Sequence, residues 1–358
     1  MIDMFKTLNI RILLVFILTS VMTVAEAQDV NFSQYFNNPT YYNPAYVGLS
    51  MGFKARLNMR KQWTGLSGNF QSYSFSADIA DRNIPGAGGI GFIATSAVEG
   101  TGKIKTTEIG AIPSVRIHVN RYSIVQFGAL VSIMSRQVDW NNLVFSDQLD
   151  PILGNTGPSN FTRPGNQRPV IFPDFSIGGI YQLKLSHMIG TFGMAVHHIT
   201  QPNQSFLQDV APLPRKWVAH MDFIIDFQRN RGYYNRARDI KINPGILFES
   251  QSNLNIYSIG VNAYISNIYF GAWYRNEIFD QASFTNIIWM AGINIPFNDN
   301  SRIKLMYSFD MKVSQNTNFT GPSHEVSLIL ELDNARLINP NKIITPILSR
   351  SSLECSPF

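Results

Sequence analysis

The chain has 358 residues, 45% hydrophobic and 12% aromatic, with only 15% charged and a formal net charge of +5. This composition excludes a disordered chain, and a lone cysteine, Cys355, excludes a disulfide-stapled scaffold. Beyond the first 25 residues no apolar run approaches the ~18 residues of a spanning helix, which excludes a polytopic helical membrane protein.

At the N-terminus, Lys6 and Arg11 precede an uncharged apolar stretch from Ile12 to Ala25, and Ala25-Glu26-Ala27 follows as an A-x-A cleavage pattern. This predicts a secretory signal peptide over 1–27, cut before Gln28. The leader's charges cancel, so the secreted chain keeps its small positive excess. That excess gives no case for nucleic acid as a partner. Residues 28–51 are polar and aromatic with two prolines, Pro39 and Pro44, and predict a periplasmic arm or a plug.

From 52 to 332 the dominant signal is period-two alternation. Phe53, Ala55, Leu57 and Met59 alternate with Lys54, Arg56, Asn58 and Arg60; Ile303, Leu305, Tyr307 and Phe309 alternate with Lys304, Met306, Ser308 and Asp310. About fourteen strands are predicted: 52–62, 70–80, 88–97, 107–119, 121–134, 175–185, 190–199, 216–227, 240–250, 255–265, 267–276, 286–296, 301–312 and 323–332. Strands of about 10 residues, even in number, in a secreted chain predict an all-β fold, a transmembrane antiparallel β-barrel in the outer membrane, in contact with its lipid. With a periplasmic N-terminus, the long connections 135–174 and 200–215 face outward, and the tight joins near Asn120, His187 and Ser266 face the periplasm. Trp63, Phe70, Trp217, Phe227, Trp273, Tyr274, Trp289 and Phe297 fall near strand ends and predict aromatic girdles. Residues 333–358 form a proline-containing tail ending at Phe358; a terminal aromatic is common on such barrels.

No constellation carries catalysis. His197 and His198 are adjacent on a predicted strand and so face opposite ways, as a barrel-wall pair rather than a metal site. Asp139, Asp147 and Asp150 share a loop whose spacing fits no EF-hand; loop structuring or partner contact is expected. Ser114 with His118 is a chance strand pair without a nucleophile elbow. The glycines Gly86, Gly88, Gly89 and Gly91 lack a βαβ context and suggest close packing or curvature at a strand start. The inward face carries ten cations and eight carboxylates, a mixed set that suits internal salt bridges or a plugged interior better than a one-signed pore. No metal, cofactor or enzymatic activity is expected.

One run is specific: Asn31-Phe-Ser-Gln-Tyr-Phe-Asn-Asn-Pro-Thr-Tyr-Tyr-Asn-Pro-Ala-Tyr-Val-Gly48. With it go Arg60, Gln62 and Trp63, then Phe145, Asp147, Gln148, Asp150 and Pro151, then His324, Glu325, Val326, Ser327 and Leu328. In this order the blocks resemble the PorP/SprF family of type IX secretion system membrane proteins. Phe32, Ser33, Gln34 and Tyr35, followed by Asn43, Pro44, Ala45 and Tyr46, match the family's opening. The tail matches through Cys355, Pro357 and Phe358, with Ser356 where the family usually has proline. The resemblance implies an outer-membrane barrel of Bacteroidota. It implies partners too: a large secreted type IX client, adhesin-like in gliding species, and a periplasmic component of the machinery. The expected function is a non-enzymatic barrel that binds or anchors the client; the alternative is an outer-membrane channel for small solutes. The arm's aromatics suit either a partner site or a plug.

Overall fold

Alternation dictates the architecture. A strand that places Lys54, Arg56, Asn58 and Arg60 on one face needs that face shielded from lipid, and closing the sheet on itself provides it. In the computed structural model the described residues are 29–333, apart from 67, 69, 81–85, 151, 153, 156, 162–167, 208, 228–239, 278–284, 299 and 314–319. Fourteen antiparallel strands close a barrel in chain order. They are β1 (Gly52–Lys61), β2 (Gln71–Ala80), β3 (Ala87–Glu99), β4 (Ile104–His118), β5 (Ser123–Gln137), β6 (Val170–Lys184) and β7 (Met188–His197). They continue as β8 (Lys216–Asp226), β9 (Ile240–Gln251), β10 (Leu254–Ile265), β11 (Ile268–Glu277), β12 (Asn286–Asn298), β13 (Ser301–Lys312) and β14 (Ser323–Leu332). The barrel closes between β1 and β14, with Phe53 opposite Leu332 and Lys61 opposite His324.

The outer surface is an apolar belt: Phe75, Phe92, Ile109, Phe127, Ile133, Trp217 and Trp289 are all exposed. Inside, Lys54, Arg56, Arg60, Asp78, Arg116, Asp310 and Glu325 are buried. Among the described residues no helix is long and apolar enough to cross a membrane. The membrane is crossed by strands, as outer-membrane barrels cross it.

The two rims differ. One carries the connections 62–70, 100–103, 138–169, 198–215, 252–253, 278–285 and 313–322; the other carries 81–86, 119–122, 185–187, 227–239, 266–267 and 299–300. By the rule that long loops face outward, the first rim is the cell-surface end. The largest loop is shorter than the expected 135–174, because β5 and β6 pair as far as Arg136 opposite Val170. Ladder hydrogen bonds continue past the lipid belt, where alternation of apolar residues is no longer required.

Candidate functional site

The lumen is not empty. Residues 29–51 run through it, from the long-loop rim to Gly52, where β1 begins at the opposite rim. At the upper end Asp29 N donates to Gln251 Oε1 (2.9 Å) and Asn31 Nδ2 to Glu249 Oε2 (3.1 Å). Of the segment expected as a periplasmic arm or a plug, residues 29–51 lie inside the lumen. Two prolines shape it. Pro39 opens a single turn of helix, α1 (Pro39–Tyr42), and Pro44 opens a 3-10 turn, Pro44–Tyr46, each at a position where a missing N–H costs nothing. Asn43 caps the second turn through Ala45 N (2.9 Å).

Three of the four sequence blocks meet here. Glu325 on β14 accepts Ser33 N (2.6 Å) and Gln34 N (3.3 Å). Ser33 Oγ donates to Asp310 Oδ2 (2.5 Å). Arg60 on β1 bridges the two carboxylates, 2.8 Å from Asp310 and 3.3 Å from Glu325, and also reaches Ser33 Oγ. Arg275 on β11 holds Phe32 O (2.9 Å). Charged partners make these the stronger class of hydrogen bond, and every member is buried. Tyr35 packs edge-on against Trp273 (5.2 Å), and Tyr42 OH donates to Phe32 O (2.6 Å), folding the segment on itself.

The lower half lies in a slot cut by glycines. A Cβ on Gly128 would stand 2.5 Å from Pro44 C and 2.7 Å from Ala45 N. One on Gly178 would overlap Asn43 Oδ1; one on Gly91 would stand 2.7 Å from Val47 Cγ2. Only glycine lets the two backbones approach so closely. The wall then satisfies the segment's carbonyls. Gln126 Nε2 donates to Ala45 O (2.8 Å) and Val47 O (2.6 Å), Ser114 Oγ to Val47 O (2.7 Å), and Arg116 Nη2 to Gly48 O (3.0 Å). Asp78 accepts Gly48 N (3.0 Å) while paired to Arg56 (2.5 Å). Gly48 has φ +65°, a conformation that favours glycine. Asn43 Nδ2 meets His220 Nε2 (3.2 Å), and Tyr46 stacks on the same imidazole (5.1 Å).

Two expectations need correction. Trp273 belongs to no girdle: it is 3% exposed, inside the lumen, on the same strand face as Arg275. Trp217, Phe227, Trp289 and Phe297 do face outward. The histidine pair does not split across the wall either. His198 has φ +56°, just past the end of β7, which breaks the alternation and turns both rings inward. His197 Nε2 reaches Tyr42 O (3.0 Å), and His198 lies between Asp29 (2.7 Å) and Asp174 (3.0 Å).

The second contact is a latch on the segment's upper end. Burial alone would push the His198 imidazole down, but the charge of Asp29 and hydrogen bonds to Asp174 and Asp29 outrun it, to about 10. Burial works against the Asp29 charge as well, yet the His198 charge holds that carboxyl below its ordinary range. The raised His198 value gives stability that is full below 6.5 and lost as pH rises towards about 10. The depressed Asp29 value gives stability that is full above 3.8 and lost in stronger acid. Hydrogen-exchange protection of residues 29–31, corrected for intrinsic rates, is therefore expected to peak between these limits and fall on the alkaline side. His198→Gln should flatten the alkaline limb.

The remaining block lies in the long loop. Asp147 accepts Ser159 Oγ (2.8 Å) and Asn160 N (2.6 Å), and Gln148 Oε1 accepts Phe145 N (2.9 Å). Phe145 stacks on Phe161 (4.7 Å) and Asp150 Oδ1 accepts Ile152 N (2.8 Å). These contacts fold the loop on itself. Hydrogen bonds from Ser159 and Asn160 lower the Asp147 carboxyl. Asp147→Ala is expected to speed proteolysis near residues 157–161 while leaving the barrel's thermal unfolding unchanged. Gln62 and Trp63 border a chamber of about 440 Å³ above the segment, together with Asp29, Lys216 and Glu249. His324 faces outward, with Tyr307 OH 2.7 Å from Nδ1. Pro151, the cleavage residues Ala25, Ala27 and Gln28, and the tail residues Cys355, Pro357 and Phe358 lie outside the described residues.

Sequence reasoning missed partners that make the site, Asp29, Asp78, Gln126, Asp174, His220, Gly128 and Gly178, whereas the close packing expected of Gly89 and Gly91 is found against Gly48 and Val47. Inward parity on each strand was the available signal for all but Asp29. Among the described residues no cluster of His, Cys, Asp and Glu could hold a metal ion.

The model of the family described as "Type IX secretion system membrane protein PorP/SprF" matches residues 24–330. Among solved structures, a Pseudomonas aeruginosa FadL homologue is 12% identical, covering 83% of this chain and 94% of that one, with a TM-score of 0.43. The Pseudomonas putida toluene transporter TodX is 10% identical over 81% and 91%, TM-score 0.42. The Ralstonia pickettii toluene transporter TbuX is 10% identical over 82% and 92%, TM-score 0.41. No curated protein matches the chain.

Proposed function

The chain belongs to the PorP/SprF family of type IX secretion system membrane proteins, and we propose that in the outer membrane it is a non-enzymatic anchor for a secreted, adhesin-like client. The long loops, 138–169 and 198–215, receive the client at the cell surface. The opposite rim couples to a periplasmic component of the machinery. Residues 29–51 act as a plug that keeps the membrane sealed and the wall rigid while the client is held. The signal peptide over 1–27 directs export of the chain from the cytoplasm and is then cleaved.

One observation carries this reading. The Ser33 and Gln34 amides are locked by Glu325, with Arg60 and Asp310 on the two neighbouring strands, β1 and β13, closing the network. A solute channel has no use for a lumen crossed by a buried segment held by charged side chains of the wall. Affinity purification of the tagged barrel from native membranes tests the reading, together with planar-bilayer recording of the same material. Co-purification of a large secreted protein with a silent barrel is expected. Steady conductance without any secreted partner would replace the anchor with the channel.

A further inference from the structure

Beneath the segment, at the short-turn rim, the lumen widens into a chamber of about 330 Å³. Phe36, Tyr46 and Leu49 of the segment form part of its lining on the side towards the long-loop rim. Its charges are unequal. Lys54, Arg56, Lys241, Arg302 and Lys304 line it, against only two carboxylates, Asp222 and Glu331. Arg56 is matched by Asp78, and Lys241 stands in register with Asp226. The other three cations converge on Glu331. Lys54 and Lys304 lie 3.2 and 3.0 Å from the same oxygen, Oε1, while Arg302 takes Oε2 and also reaches Asp333 (3.1 Å). Asp222 is engaged elsewhere, by the Tyr46 hydroxyl (3.4 Å).

Two ammonium groups on one carboxylate oxygen repel each other, and away from bulk water that repulsion is weakly screened. An ammonium has three donors, and the Glu331 contact uses one of those on Lys304. A further anionic oxygen placed between the two lysines would take those donors and offset the charge. Inward apolar side chains, Ile224, Met306 and Ile329, also line the chamber. A bare inorganic ion would leave that surface wetted; a ligand with an apolar body would cover it. We propose that the chamber binds a small amphipathic anion, a carboxylate or phosphate head on a short apolar body, admitted from the short-turn rim, with Lys304 and Lys54 holding the head. This site goes beyond client anchoring and does not depend on it.

Calorimetric titration of the full-length barrel in phosphatidylcholine nanodiscs tests the site, with hexyl phosphate, hexanoate and inorganic phosphate as probes and empty nanodiscs as the blank. Saturable binding of hexyl phosphate and hexanoate is expected, with inorganic phosphate at least tenfold weaker. Lys304→Met should weaken hexyl phosphate at least tenfold. Glu331→Gln, which removes the competing carboxylate, should tighten it. Opposite shifts cannot come from a general loss of folding, which heat-modified gel mobility checks separately. Binding no greater than to empty nanodiscs, inorganic phosphate as tight as hexyl phosphate, or the two variants shifting together would overturn the proposal. Native mass spectrometry before titration separates the sources of the head group. A retained anionic lipid displaced by hexyl phosphate identifies a lipid; a bare barrel that then binds the probe identifies a soluble ligand.

Discussion

An Arg60→Ala barrel is expected to close normally but to lose its grip on residues 32–35, at a cost of about 3–5 kcal/mol. Removing one partner of a buried ion pair is the costly change, because the other charge stays behind without compensation. Here two are left behind, Asp310 at 3% exposure and Glu325 at 0%. Arg275 stands 3.9 Å from Asp310 and replaces little of what is lost. The strand ladder does not depend on the Arg60 side chain, since β1 pairs with β2 and β14 through its backbone. The barrel should therefore keep its heat-modified gel mobility while exchange protection at Ser33 and Gln34 collapses. Neutralising the cluster together, as Arg60→Met with Asp310→Asn and Glu325→Gln, should cost less than Arg60→Ala alone, because no unmatched charge remains. Unchanged protection in Arg60→Ala would show that the aromatic contacts of Tyr35 and Tyr42 hold the segment without the charges.

The barrel itself was legible because its physics is local. Lipid outside and a polar lumen inside impose period two on every strand, and turns interrupt it. The limits of β4, β5 and β6 were less legible, since Ser135, Arg136 and Gln137 extend the ladder beyond the belt that enforces the pattern. Inward charge was also legible: Arg60, Arg275, Asp310 and Glu325 all fall on the face that parity assigns to the lumen. Their meeting was not. Ser33 and Glu325 are 292 positions apart, and which inward residues share a depth depends on the shear of the closed sheet, not on parity. Trp273 could have been placed from its own strand, because Arg275 two residues on fixes the face. His198 could not, because one residue at positive φ reverses the alternation and leaves no mark in the residue types around it. The sequence blocks singled out Ser33, Gln34, Arg60 and Glu325, while the contacts that join them, around a segment threaded through the lumen, are long-range.

The strongest test of that threading uses a substitution that ought to help a strand. Valine suits β-strands better than glycine, so Gly128→Val should favour β5 if its environment were only the sheet. In the lumen it has no room. Its Cβ would stand 2.5 Å from Pro44 C and 2.7 Å from Ala45 N, and these are backbone atoms of a turn fixed by two prolines and the Asn43 cap. Overpacking of a fixed site costs typically about 1–3 kcal/mol and more where backbone must move. Asn43, Pro44 and Ala45 are expected to leave the slot, taking with them the Ala45 carbonyl contact to Gln126. Gly179→Val is the control. Gly179 is on the next strand, β6, but its Cβ would meet only the Phe127 ring at 3.3 Å, a side chain on the lipid face that has room to turn. Planar-bilayer recording should find Gly128→Val conducting and Gly179→Val silent, although both exchange glycine for valine in adjoining strands. Equal silence, with exchange protection of residues 43–48 intact in both, would mean that the wall yields to the segment and that glycine is not what admits it.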